Sequence, residues 1–298
     1  VLSSLPVLQE EILVRFAVPA VTGAVAWRAQ AVAANAPEAV LREERGSGAE
    51  LRLTDLPDGE YLLRLRGIDA QGLEGRSAEH RFRLKARPEA PLPAEPAPQS
   101  THHGGRVTLR WATQPAAASY RVQLAGAAGF AQPLQDLRGL TATEQLLENL
   151  PVGEYQWRVG SVARVNGADD PGPWGPVRRF SMRPPAPAAR PPAIGERDLA
   201  FSWEGRPGQR FEFQIARDAA FGQLVLEKAL TEPSFTLPLP GTGRFHVRLR
   251  AIEADGYVGP WGGTQVIDLP NCVRSGAGSC LRLGAGSGAG TDTLQIAP

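Results

Sequence analysis

The chain has 298 residues, 42% of them apolar, with 33 glycines, 27 prolines and a formal net charge of +1. Its length suits two or three ordinary domains, and its Gly and Pro content predicts many turns and few long helices. The near-zero charge argues against a nucleic-acid binder, which would carry a basic stripe, and no run of 18 apolar residues offers a membrane-spanning helix.

The basic residues are almost all arginine, with Lys85 and Lys228 the only lysines, and Ala and Pro are abundant. This composition matches a high-GC bacterial coding bias. The first residues, Val1-Leu2-Ser3-Ser4-Leu5-Pro6, show neither the basic nor the apolar region of a signal peptide. With no initiator Met, the sequence reads as a processed protein or an excised segment.

In chain order, Ile12, Val14 and Phe16 alternate with Leu13, Arg15 and Ala17, the pattern of a half-buried strand. Residues 25–29, 51–53, 61–66 and 81–84 read as further short strands, with Leu56-Pro57-Asp58-Gly59 as a turn. Five prolines within residues 85–98 predict a stiff, extended spacer. The pattern then returns. Val107-Thr108-Leu109-Arg110-Trp111 and Tyr120-Arg121-Val122-Gln123-Leu124 are alternating strands, and Pro151-Val152-Gly153 turns into Glu154-Tyr155-Gln156-Trp157-Arg158-Val159. After a second proline-rich joint at residues 184–192, Leu199 to Trp203 matches the Trp111 strand and Phe211-Glu212-Phe213-Gln214-Ile215 the Tyr120 strand. Ala219-Ala220-Phe221 echoes Ala127-Ala128-Gly129-Phe130, and Gly243-Arg244-Phe245-His246-Val247-Arg248-Leu249 repeats the strand of Tyr155.

Short strands repeating at about 90 residues predict an all-β chain of three tandem β-sandwiches joined by proline-rich linkers. They occupy residues 1–88, 89–185 and 186–270, followed by a flexible Gly/Ala/Ser-rich tail over 271–298.

Tyr61, Tyr155 and Phe245 each follow a leucine (Leu56, Leu150, Leu239) by five or six residues, which resembles the tyrosine corner of sandwich domains. An aromatic on an early strand (Phe16, Trp111, Trp203) and the phrases Gly172-Pro173-Trp174-Gly175 and Gly259-Pro260-Trp261-Gly262 complete a resemblance to fibronectin type III repeats. Gly72-Leu73-Glu74-Gly75 is the fainter counterpart in the first repeat. Two phrases, residues 56–75 and 250–260, also resemble the C-terminal half of bacterial FecR-domain-containing proteins. Those proteins carry LysM and FecR modules that are not in this sequence. The resemblance implies an extracytoplasmic bacterial setting, in the periplasm or at the cell surface.

In such an oxidising compartment Cys272 and Cys280 are expected to form a disulfide. Their spacing disfavours a metal site or a Cys-x-x-Cys redox pair. Period two turns Arg158 outward, towards Trp174, and Arg248 and Arg250 outward, towards Trp261. These arginines and tryptophans form either a domain-stiffening cation–π ladder or an aromatic platform for a glycan or protein. Adjacent His102 and His103 would point to opposite faces of a strand, and His80 and His246 are single strand residues. Glu43-Glu44 and Asp169-Asp170 read as solvated loop carboxylates.

Glycines 284, 286, 288 and 290 follow no buried strand, so they do not make a phosphate loop, and no Gly-x-Ser-x-Gly elbow occurs. A non-enzymatic chain without cofactor or metal is expected, with a protein or envelope glycan as partner. Self-association is the alternative: Val7, Leu8 and Ile12, or Leu294 and Ile296 in the tail, are candidate strand donors for a filament.

Overall fold

The computed structural model describes residues 7–195, 197–269, 272–274 and 280–282. It is all-β. Two compact units divide the chain, the first ending at Met182 and the second beginning at Arg183. The first unit holds two sandwiches and the second holds one.

Sandwich one is built from β1 (Val7–Gln9), β2 (Val14–Ala17), β3 (Ala24–Ala33), β4 (Ala36–Gly46), β5 (Glu50–Leu53), β6 (Gly59–Asp69) and β7 (Ala78–Leu84). Its large sheet has the order β1-β7-β6-β3-β4, and β2 pairs β5 in the small one. The alternation read from the sequence places Val14, Leu51, Leu53, Tyr61, Leu63 and Phe82 in the core. Each such fully buried side chain contributes about 1.5–3 kcal/mol.

Two expectations change here. Val7 and Leu8 are not free donors, because β1 runs parallel to β7 with Val7 opposite Phe82, while Ile12 packs against the core. The Glu43-Glu44 pair lies on strand β4, where long charged side chains hide any period-two signal.

Sandwich two comprises β8 (Pro93–Glu95), β9 (Ser100–His103), β10 (Val107–Trp111), β11 (Ser119–Gly126), β12 (Gln135–Leu140), β13 (Glu144–Leu147), β14 (Gly153–Val165), β15 (Ala168–Trp174) and β16 (Arg178–Arg183). Its sheets are β13-β10-β8 and β12-β11-β14-β16-β9, with β15 also paired to β14. Leu109, Trp111, Val122, Trp157, Val159 and Phe180 fill the space between them.

The first linker is docked, contrary to the spacer reading. Pro88, Pro91, Pro93 and Pro96 are buried, which costs little because proline has no N–H to satisfy. Ser161 Oγ donates to the Glu89 carbonyl at 2.7 Å, and Arg178 Nη2 donates to that of Pro93 at 3.0 Å. Lys85 Nζ lies 3.0 Å from an Asp58 carboxylate oxygen and 2.8 Å from one of Asp170, joining sandwich one to sandwich two. Burial pulls the Lys85 ammonium down, but Asp170 and Asp58 together hold it above its usual range.

Sandwich three consists of β17 (Ala193–Ile194), β18 (Asp198–Ser202), β19 (Arg210–Ala216), β20 (Leu224–Leu230), β21 (Ser234–Pro238), β22 (Gly243–Ile252) and β23 (Gln265–Leu269). Its sheets are β17-β18-β21 and β20-β19-β22-β23, closed on Phe201, Trp203, Phe213, Phe245 and Ile267. A short pair follows, β24 (Cys272–Arg274) with β25 (Cys280–Arg282). It sets Cys272 opposite Arg282 and Cys280 opposite Arg274, and the cysteine side chains lie outside the described residues.

Hydrogen bonds fix the correspondence between repeats. The backbone N–H groups of Trp111, Trp203 and Val18 donate to Thr143, Pro233 and Ala49 at 3.1, 3.0 and 2.8 Å, in each case closing β10, β18 and β2 on the same neighbour. Val18, and not Phe16, therefore takes the tryptophan position in sandwich one. Phe16 lies two residues earlier on the same face, which alternation alone does not distinguish. The aromatic corner is also graded. Tyr61 and Tyr155 donate to the carbonyls of Pro57 and Pro151 at 2.5 and 2.8 Å. Phe245, lacking a hydroxyl, only packs.

Candidate functional site

The outward face of the large sheet is where the repeats carry their most distinctive side chains. In sandwich two, β11 and β14 pair so that Gln123 faces Arg158 and Arg121 faces Gly160. Trp174, at the end of β15, lies across them. The guanidinium carbons of Arg121 and Arg158 stand 3.9 and 4.5 Å from its ring centroid, and that of Arg158 stands 4.2 Å from the centroid of Phe130. Gln123 Oε1 accepts from Arg158 Nε and Nη2 at 3.0 and 2.7 Å. Arg121 Nη2 donates to the Gly172 carbonyl at 2.6 Å. Gly160 makes the crossing feasible, since a Cβ there would stand 3.0 Å from Arg121 Nε.

Sandwich three rebuilds the same stack with different parts. Gln214 faces Arg248 and Glu212 faces Arg250. Arg248 and Arg250 lie 4.3 and 4.4 Å from the Trp261 centroid, and Arg248 lies 4.0 Å from that of Phe221. The second arginine has moved across the sheet. It stands on β11 opposite a glycine in sandwich two, and on β22 opposite Glu212 in sandwich three, where it gains an ion pair with that carboxylate. Each cation–ring contact is worth about 0.5–2 kcal/mol, more where water is excluded.

Sandwich one replaces the ring by charge. Arg28 faces Arg66 across β3 and β6, and Glu74 lies 3.0 Å from each of them. Glu43 adds a 2.7 Å contact to Arg28 and accepts from Gln30 at 2.8 Å. Glu74 is not the backbone counterpart of Trp174, because Gly75 N–H donates to Gly67 as Gly259 N–H donates to Ala251, ahead of Trp261. Hydrogen bonds from Arg28 and then Gln30 hold Glu43 down to about 2, and those from Arg66 and Arg28 hold Glu74 below the usual carboxylate range.

The sign follows directly. Carboxylates depressed in the folded state stabilise it fully above their unfolded pKa, and that stabilisation drains away as pH falls towards the folded value. Sandwich one is therefore expected to lose stability between about pH 4.5 and pH 2. Urea unfolding followed at several pH values should show this loss, and Glu74→Gln with Glu43→Gln should flatten the profile.

The geometry brings Arg158 to Trp174, and Arg248 and Arg250 to Trp261, as the strand period implied. Sequence reasoning missed Arg121, whose partner sits on a different strand, and the ring partners Phe130 and Phe221. The matching Ala127-to-Phe130 and Ala219-to-Phe221 phrases were the available signal. His102 shares a 2.9 Å hydrogen bond with Ser100 Oγ and meets Phe180 edge-on at 5.8 Å. Asp170 holds Lys85, and Asp169 pairs with Arg164, so these carboxylates are strand residues with cationic partners. Leu294 and Ile296 lie outside the described residues.

No family model matches the chain, and no curated protein matches it. Similar solved structures include a two-domain fibronectin type III segment of chicken tenascin, at 14% identity and a TM-score of 0.36, covering 60% of this chain and 99% of that one. Another comprises domains FN1 to FN3 of chicken CNTN1, at 16% identity and a TM-score of 0.26, covering 87% of this chain and 95% of that one. The strand order of its own sheets makes this chain an all-β tandem of fibronectin type III-like sandwiches.

Proposed function

We propose that this chain is a non-enzymatic binding and scaffolding protein of the bacterial cell envelope, outside the cytoplasm, that sets modules at defined spacing. The observation that carries the reading is the use of its aromatic and cationic surface side chains. Trp174 and Trp261, the best candidates for a ligand platform, are each engaged by two guanidiniums of their own sandwich. The docked first linker points the same way, because fixed joints serve spacing. The envelope setting rests on the FecR-type phrases and the arginine-rich composition, and the non-enzymatic reading on the missing nucleophile and phosphate motifs. A disulfide between Cys272 and Cys280 belongs to the same setting.

The test is a pair of measurements on the purified chain. Glycan-array and envelope-protein binding should survive Trp174→Ala and Trp261→Ala while stability falls. Binding lost with either tryptophan, at unchanged stability, would restore the carbohydrate-platform reading. Hydrolysis of generic ester, peptide or glycoside substrates would overturn the non-enzymatic one. Recovery of the native protein in the cytoplasmic fraction would overturn the setting.

Assembly into a filament by strand addition is a second reading. It is favoured by one feature: among the described residues, no strand lies along the outer edge of β2. Negative-stain microscopy at high protein concentration separates the two, since dispersed single particles would count against the filament.

A further inference from the structure

The first joint leans on one short strand of sandwich two. β15 breaks its register with β14 after Pro171, so that Gly172 and Pro173 together oppose Ser161. A bulge of this kind bends the strand and re-aims its groups. Here they are aimed at the linker. Asp170 holds Lys85, Ser161 Oγ donates to the Glu89 carbonyl at 2.7 Å, and the bare Cα of Gly172 lies against Pro88. Gly175, just past the strand, receives the next stretch, and a Cβ there would stand 2.9 Å from the Pro91 carbonyl oxygen.

The cation–π stack fixes β15 in turn. Arg121 Nη2 donates to the Gly172 carbonyl at 2.6 Å, while its guanidinium carbon lies 3.9 Å from the Trp174 centroid. One side chain therefore holds both the peptide that receives Pro88 and the ring two residues further on, with a charge-assisted bond stronger than a neutral one. Sandwich one also reaches the stack. Burial draws the Arg121 and Arg158 guanidiniums below their usual range, and the Glu10 carboxylate works against that shift in both.

Sandwich three shows that the stack can be built without this link. Its second arginine, Arg250, stands on β22 and donates to Glu212. A Cβ on Gly259, the counterpart of Gly172, would meet only the Ala251 carbonyl oxygen, at 3.2 Å, among the described residues. The second arginine thus reaches the glycine carbonyl in the repeat where that glycine carries a linker, and stands elsewhere in the repeat where it carries none.

We propose that β15 is a transmission strap: the Trp174 stack holds the first joint closed, and drawing Arg121 or Trp174 away releases Lys85 and the linker together. Docked and released linker are the two states, and the stack favours only the docked one. Linkage makes the coupling reciprocal, so loosening Lys85 also loosens the stack. A contact that lifts Trp174 therefore alters the spacing of sandwiches one and two. This inference goes beyond the scaffolding reading, which needs only that the joint be fixed, and does not depend on it.

A lysine-specific endoproteinase applied to the intact chain is the probe. The chain offers it two bonds, Lys85–Ala86 in the joint and Lys228–Ala229 in β20 of sandwich three. With protease dilute enough that reclosing outruns cleavage, each rate reports how often its segment opens. Arg121→Gln is expected to speed cleavage after Lys85 at least about tenfold, the effect of losing a hydrogen bond to a charged group, and to leave cleavage after Lys228 unchanged. Trp174→Phe, which keeps a smaller ring in place, should speed it severalfold and carries the test should Arg121→Gln fail to fold. Val122→Ala, a core position on the same strand as Arg121, is the control for general loss of stability. It should stay within about twofold of the parent, because local opening does not require the core to unfold. Equal cleavage of Arg121→Gln and the parent, or equal acceleration by Val122→Ala, overturns the proposal. Either result leaves the scaffolding reading standing, since that reading needs only slow cleavage after Lys85 in the parent chain.

Discussion

Replacing Trp174 by alanine is expected to destabilise sandwich two by about 2–4 kcal/mol, read as a fall in urea midpoint with little change in slope. Three losses add. Half-buried aromatic area returns to water, two cation–ring contacts disappear, and Arg121 is stranded. Burial and then the neighbouring Arg158 charge already pull the Arg121 guanidinium below its usual range, and its Nε is buried with no hydrogen-bond partner. Arginine does not escape by losing its proton, so uncovering this group leaves a partly desolvated charge with only the Gly172 carbonyl to hold it. Trp261→Ala should cost sandwich three less. Arg250 there keeps its ion pair with Glu212, and Arg248 keeps Gln214 and the ring of Phe221.

The second large effect lies at the joint. Gly172→Ala is expected to cost about 1–3 kcal/mol and to undock the first linker, because its Cβ would meet the Pro88 carbonyl oxygen at 1.9 Å. Backbone lies on both sides of that contact, so no side-chain rotation relieves it. The first linker should then become a tryptic substrate at the Lys85–Ala86 bond while both flanking cores stay folded. Gly48→Ala, where an added Cβ meets nothing within 4 Å, is the matched control and should leave cleavage unchanged. Equal protection of Gly172→Ala and the parent chain would show that the linker is not held there.

What the sequence revealed and what it hid follow from the range of each interaction. Core faces were legible because alternation is local: Tyr155, Trp157 and Val159 point inward and Arg158 outward, as the strand period requires. The corner was legible from the leucine-to-aromatic spacing, and the third copy differs by one extra residue and by the missing hydroxyl of Phe245. Arg121 was hidden because its role depends on pairing with Gly160, 39 residues away in the chain (160 minus 121). Phe221 was hidden by its backbone, at φ +60°, a left-handed turn conformation that alternation does not encode and that bulky residues seldom adopt. The linker misled for another reason. Proline-rich composition specifies an extended chain, and extended chains serve equally as spacers and as packing elements. Burial of Pro88, Pro91, Pro93 and Pro96 depends on the groove that receives them.

The same reasoning explains why sandwich one diverges most. With Val18 where the others have tryptophan, and Glu74 among arginines where the others have a ring, its outer face is held by charge. A repeat that trades aromatic for ionic packing on this face becomes acid-sensitive there, through Glu43 and Glu74.

A double-mutant cycle on Trp174 and Arg121 tests most directly whether these rings serve the fold. Urea unfolding of the parent, Trp174→Ala, Arg121→Gln and the double variant should give a coupling energy of about 0.5–2 kcal/mol, with ligand binding of the intact chain unchanged in all four. A coupling indistinguishable from zero, accompanied by loss of binding in both tryptophan variants, would contradict the structural reading and return Trp174 to the surface as a recognition residue.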